Sequence, residues 1–140
     1  MGKVIVKVKL TNFIDIENAE NGIIEKDKVR CTEDEAIIDT GATMLTIPKR
    51  HFEALGLRYS GSEVTATYAN SQKARRKIAR GVLIEIMGRE AEVECIVEEK
   101  YDKILVGQIS LEYMDLHVDC KAGKLMPNPL SPDMPLIEIL

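Results

Sequence analysis

Little in the sequence would carry this chain into a membrane or across one. No apolar run reaches the length of a bilayer span, and the first nine residues, Met1-Gly2-Lys3-Val4-Ile5-Val6-Lys7-Val8-Lys9, alternate charge with apolar residues instead of forming the apolar stretch of a signal peptide. Cysteine is scarce and odd in number. Cys31, Cys95 and Cys120 cannot all pair, they show no metal-ligand spacing, and Cys95 sits on an alternating apolar face, so they read as reduced and structural. His117, Asp119 and Cys120 lie close in sequence, but no other His or Cys shares a ligand-like spacing with them, which argues against a metal site. Charge is also modest: a net −4 and a pI near 5.3 give no general attraction to nucleic acid or to an anionic membrane. These features lead us to expect a soluble, cytoplasmic protein with no cofactor, metal, nucleic-acid or membrane partner. At 140 residues it is one domain with room for a core, and too short for two lobes.

Short alternations dominate what is present, and they predict half-buried strands. Val4, Val6, Val8 and Leu10 share one face, with Ile5, Lys7 and Lys9 on the other. Residues 18–22 have turn composition, residues 26–31 read as the returning strand of a hairpin, and residues 33–35 make a charged approach to a strand over 36–39. Pro48 opens a helix over 49–55 that Gly56 closes, and His51 is expected at its surface because no buried partner is evident. Two β-prone segments, 63–68 and 78–86, flank the turn-forming Ala69-Asn70-Ser71-Gln72. A second hairpin turns at Met87-Gly88-Arg89 and places Ala91, Val93, Cys95 and Val97 on one face. Ile104-Leu105-Val106 runs into Gly107 ahead of a helix over 110–114, and strands over 116–119 and 124–126 flank a turn. Pro127, Pro129, Pro132 and Pro135 then leave an extended or loose tail whose last residues, 136–140, are apolar.

The centre of the chain is Ala36-Ile37-Ile38-Asp39-Thr40-Gly41-Ala42-Thr43-Met44-Leu45-Thr46-Ile47. A carboxylate flanked by so much apolar sequence is expected where water is scarce, and it must then be hydrogen-bonded or paired. Gly41 permits a tight turn that aims backbone N–H groups at the acid, and the Thr40 hydroxyl adds a further donor or acceptor. An isolated Asp-Thr-Gly is most simply a turn that satisfies its own backbone; twelve consecutive fitting positions ask for more.

This stretch resembles the active-site signature of the aspartic peptidases, and its single occurrence in a short chain resembles the retroviral-type, or retropepsin-like, branch. Residues 104–107 are similar to the apolar-apolar-Gly segment that lies beside the Asp-Thr-Gly loop in that family. The resemblance covers roughly residues 4–126. It implies an all-β fold, a closed antiparallel barrel-like body with one or two short helices, active as a homodimer, with residues 1–128 as the peptidase domain and 129–140 as a Pro-rich tail that takes part in the dimer interface. It further implies an aspartic endopeptidase acting on peptide or unfolded protein, with Asp39, Thr40 and Gly41 as catalytic residues. Peptide hydrolysis by this route needs one group to take a proton from water and another to give one, so each subunit of the dimer supplies its Asp39.

The segment over 63–86 corresponds to the flap that covers the cleft, and its tip lacks the Gly-rich sequence of viral flaps. Ala42 beside the acid and Tyr68, Ala69, Asn70 and Ser71 at the flap tip become the candidate substrate contacts, although a strand Tyr68 packed against its neighbours is the plainer reading. Lys73, Arg75, Arg76, Lys77 and Arg80 make the flap basic, either as a solvated strand edge that discourages aggregation or for recognition of acidic residues in a substrate. Ala42 stands where pepsin-like enzymes carry a hydroxyl residue. One hydrogen bond to an ionised acid pair is then missing, which predicts a pH optimum nearer neutral than that of a gastric enzyme. A retropepsin-like module that dimerises or binds peptide without useful catalysis is the alternative.

Overall fold

The computed structural model describes residues 3–139. Met1, Gly2 and Leu140, the outermost residues of the amino-terminal alternation and of the apolar tail, lie outside the described residues. β1 (Val4–Asn12) follows the alternation in its sequence, with Val8 and Leu10 buried and Ile5 and Lys7 exposed. It pairs antiparallel with β2 (Cys31–Ile38), in register from Val4 opposite Ile38 to Thr11 opposite Cys31.

Between these strands the chain departs from the sequence reading. The turn expected over 18–22 is preceded by a helix, α1 (Phe13–Glu20), and the strand expected over 26–31 is a single 3₁₀ turn (Lys26–Lys28) followed by β2 from Cys31. The cause is polar. Asn12 caps α1 by accepting the Asp15 N–H at 3.0 Å, and Asp15, the buried residue of the helix, takes the Arg30 backbone N–H at 3.0 Å, its Nε at 2.8 Å and its Nη2 at 3.0 Å. The Arg30 hydrogen bond holds the Asp15 carboxyl below its usual range against the opposing effect of burial. A helix that buries a carboxylate rather than an apolar stripe leaves no period for sequence inspection to find.

β3 (Leu45–Pro48) leads into α2 (Lys49–Leu55), which ends at Gly56 in the left-handed region (φ 62°) as its sequence predicts. β4 (Arg58–Thr67) and β5 (Lys73–Ile86) form the flap hairpin, β5 turns through Met87 and Gly88 into β6 (Arg89–Glu98), and β7 (Ile104–Val106) runs into α3 (Gln108–Met114). β8 (Leu116–Asp119) and β9 (Lys124–Pro127) pair separately. The main sheet runs β1-β2-β7-β3-β6-β5 and closes where Lys9 to Asn12 of β1 pair with Glu85 to Val82 of β5; β4 lies outside that ring, bonded to β5.

A wholly antiparallel barrel with one or two helices is therefore corrected on two counts. The β2–β7 and β3–β6 pairs are parallel, and the described residues contain three α-helices. The parallel pairing follows from the repeated plan of strand, Gly-containing loop and helix. β2 and β7 run the same way, so their carboxyl ends, Asp39 and Gly107, emerge side by side. Inside, Leu10, Ile47, Ile84 and Val106 are fully buried, each worth about 1.5–3 kcal/mol of transfer free energy.

The tail has no regular secondary structure in the described residues, but it is fastened to the body. Buried Arg89 donates to the carbonyls of Met114 (3.0 Å), Asp115 (2.9 Å) and Ser131, and the Asp115 carboxylate accepts the Ser131 hydroxyl at 2.6 Å and the Leu136 N–H at 3.0 Å. Beyond that point Ile137 and Ile139 are exposed. No helix among the described residues is long and apolar enough to cross a membrane.

Candidate active site

Asp39 is the first residue past β2. Its N–H continues the parallel ladder by donating to the Val106 carbonyl at 3.0 Å, so the start of the loop is fixed by the barrel. The chain then turns tightly: the Ala42 N–H donates to the Asp39 carbonyl at 3.1 Å, and the Gly41 N–H donates to Asp39 Oδ1 at 3.0 Å. Of the cradle expected from the sequence, one backbone N–H, that of Gly41, reaches the carboxylate; the Ala42 N–H goes to the backbone carbonyl, and the Thr40 hydroxyl makes no bond to it among the described residues. The loop also caps α3, whose first N–H groups need partners. Gln108 donates to the Ala42 carbonyl at 2.8 Å and Ile109 to that of Thr43 at 3.0 Å.

Such an approach leaves no room for a side chain at Gly107, where a Cβ would lie 2.7–2.8 Å from backbone atoms of Ala42, Thr43 and Met44. The barrel, the Asp39 loop and α3 are thus locked around one glycine. Within a single chain the carboxylate is half-buried rather than sealed from water, and Thr40 and Gly41 are exposed. The expectation of a dry site is not met by one subunit, because the loop opens onto a cleft.

That cleft has a volume of about 820 Å³. Its floor includes Asp39, Ala42, Met44 and Leu105, its roof is residues 64–70 of the flap, and Ile96, Glu98 and Tyr101 form a side. Of the residues singled out by sequence, Asp39, Gly41, Ala42, Tyr68, Ala69 and Asn70 line it together. Thr40 and Ser71 do not. Ser71 sits in the tip turn with φ 68°, its N–H donating to the Tyr68 carbonyl at 2.9 Å.

A family model described as gag-polyprotein putative aspartyl protease matches residues 28–113, more than half of the chain, from the approach to β2 through the Asp39 loop, flap and Gly107 to α3. The chain belongs to this retropepsin-like family. A comparison with curated proteins finds no match. The two stretches on which the resemblance rests, 36–47 and 104–107, both fall inside the matched region and are the two that meet in space.

For an aspartyl-protease-family cleft, this one carries a polar wall that sequence inspection overlooked. Glu98, at the end of β6, is buried, yet its carboxylate accepts the Tyr68 hydroxyl at 2.8 and 3.0 Å, Arg76 Nε at 3.1 Å and the Lys100 N–H at 3.0 Å. Burial pushes the Glu98 carboxyl up, but the Lys100 N–H, the Tyr68 hydroxyl and Arg76 outweigh it and hold it below its ordinary range. Burial and the neighbouring carboxylate together raise Tyr68. A signal existed in the strand pattern. Glu90, Glu92 and Glu94 alternate outward, but Ile96 interrupts the acidic series on that face, marking where it becomes covered.

The flap cations divide accordingly. Lys73, Arg75, Lys77 and Arg80 are exposed and none lines the cleft; Arg75 pairs with Glu63 at 2.7 Å, Lys77 lies 4.9 Å from the Tyr59 ring centroid, and Arg80 donates to the Ser60 carbonyl at 3.2 Å. Arg76 alone is turned inward. His51 is also corrected: it is buried, with Nε2 2.9 Å from Asp34 Oδ2, because α2 lays that face against β2. Among the described residues no group of three or more His, Cys, Asp or Glu side chains is placed to hold a metal.

Proposed function

We propose that the protein is an aspartic endopeptidase of peptide or unfolded protein substrates, working as a homodimer in which Asp39 of each subunit supplies one carboxylate. The observation that carries this reading is Asp39 held by the Gly41 N–H at the floor of a roofed cleft, one such acid per chain. A single carboxylate cannot both accept and donate in one step. Two within a few ångströms share a proton, since like charges so close do not both ionise. The ionised member takes a proton from water as the water oxygen bonds to the scissile carbonyl carbon, and the protonated member gives its proton to the carbonyl oxygen. Collapse of the resulting diol returns a proton to the amide nitrogen as the C–N bond breaks. Thr40, which makes no side-chain hydrogen bond among the described residues, is left to tie the two loops across the dimer axis.

Residues 1–128 act as the peptidase domain and 129–140 as a tail contributing to the subunit interface. Ala42, Tyr68, Ala69, Asn70 and Ser71 contact substrate. Three free cysteines support a reducing, cytoplasmic setting.

The test is cleavage of an unfolded polypeptide library across pH, with and without a statine-type inhibitor and beside Asp39→Asn. Cleavage is expected to be inhibitor-sensitive, abolished by the substitution, and optimal nearer neutral than about pH 4, the ordinary range of a carboxylic acid. Absence of inhibitor-sensitive cleavage at every pH would leave a peptide-binding or dimerisation module instead.

A further inference from the structure

We infer that Glu98 is a latch that holds the flap down over the cleft, binding both flap strands to the barrel through Tyr68 and Arg76. Only its consequence for substrate rests on the peptidase reading. Glu98 ends a barrel strand, Tyr68 follows the outgoing flap strand, and Arg76 lies on the returning one. The flap needs such a fastening. β5 leaves its pairing with β6 at Ile78, so residues 73–77 are paired with β4 alone. Among the described residues, every other side-chain hydrogen bond or ion pair of residues 64–77 stays within the flap; the Tyr68 hydroxyl and Arg76 Nε cross to the body, and both reach Glu98. The Lys100 N–H fixes the carboxylate from below, and Tyr101 braces the Tyr68 ring edge-on with centroids 5.2 Å apart.

Glu98 is poorly suited to be a pocket for a cationic substrate residue. Its charge is already matched by Arg76, and three donors occupy its oxygens. The tie is polar, and a polar tie is reversible: the Tyr68 hydroxyl can exchange the carboxylate for water when the flap lifts, whereas an apolar seam would have to expose its whole area. Glu98 is therefore a positioning residue. It fixes where the roof stands before a substrate arrives, which lowers the ordering cost of binding.

Tyr68→Phe removes the hydroxyl and leaves the Arg76–Glu98 pair intact; Glu98→Gln keeps an acceptor and removes the charge. Backbone amide relaxation at 69–71, measured without substrate, is expected to shift towards order parameters below about 0.6 in both variants, or to gain microsecond-to-millisecond exchange, while β1 and β2 amides relax as in the wild type. Loss of one charge-assisted hydrogen bond predicts a roughly tenfold larger open population. With a peptide substrate, most of the resulting loss should fall on KM rather than kcat. Tip amides that relax identically in Tyr68→Phe and wild type would overturn the latch; a mobile tip with unaltered KM would overturn its role in positioning the roof for substrate. If the tip is freed but the wild-type protein cleaves nothing, the latch stands and the peptidase reading falls.

Discussion

His51 and Asp34 illustrate how much one pair of side chains decides, and how little of it a linear sequence displays. An ionised carboxylate only accepts, so His51 Nε2 must carry the proton in its 2.9 Å contact with Asp34 Oδ2, and Arg50 Nη2 donates to the same oxygen at 2.9 Å. Burial pushes Asp34 up, but the His51 and Arg50 hydrogen bonds bring its pKa down to about 2 from 3.8. A depressed carboxylate stabilises the fold above its unfolded value, and that contribution disappears as pH falls from 3.8 through about 2. Asp34→Asn should therefore cost about 1 kcal/mol at pH 5, a figure kept small because the side chain is partly open to solvent. The difference in urea midpoint from wild type should shrink to little by pH 2; a constant difference across that range would refute it. At this scale the sequence was legible where chemistry is local, as in Gly41 turning its N–H onto Asp39. It was opaque where the partner lies many residues away: Asp34 for His51, Arg30 for Asp15, and Glu98 for Tyr68.

Strands and helices were easier to read when they bury an apolar face of regular period. β1, α2, the β5–β6 hairpin, β7 and α3 all lie close to where alternation and capping residues put them. α1 escaped because its buried residue is an acid, and the direction of pairing escaped because the continuous apolar runs at 36–38 and 104–106, three residues each, are too short to tell a parallel strand from a buried antiparallel one. Yet that parallel β2–β7 pair brings the two recognisable stretches together, and its tightest point is Gly107. Gly107→Ala would drive a methyl into the backbone of residues 42–44, which cannot yield without moving the Asp39 loop. A stability cost of about 1–3 kcal/mol is expected, together with a drop of at least roughly tenfold in kcat/KM. Thermal unfolding and peptide kinetics check both. Unchanged activity would mean that the loop tolerates displacement.

For the molecule as a whole, the proposed site is half of one. Mixing wild-type protein with an equal amount of Asp39→Asn, and allowing subunits to exchange, should lower activity to about one quarter of that of the same total amount of wild-type dimer, because only the pure wild-type pair keeps both acids. A fall to half would indicate a chain that works alone. The barrel also has a feature whose mechanical meaning goes beyond its chemistry. β5 is a single 14-residue strand that is barrel wall at one end and flap at the other, with a register slip against β6 between Ala79 and Val82 and one in β4 between Tyr59 and Glu63. Gly81, at φ 77°, stands at the first slip, where the strand bends most easily. From Ile78, the last residue paired with β6, to Lys73 an extended chain reaches roughly 17 Å, so a tilt of only ~10° at its root sweeps the far end through about 3 Å. The arm behaves as a cantilever: small strains at its anchored end become ångström-scale travel above the floor of the cleft.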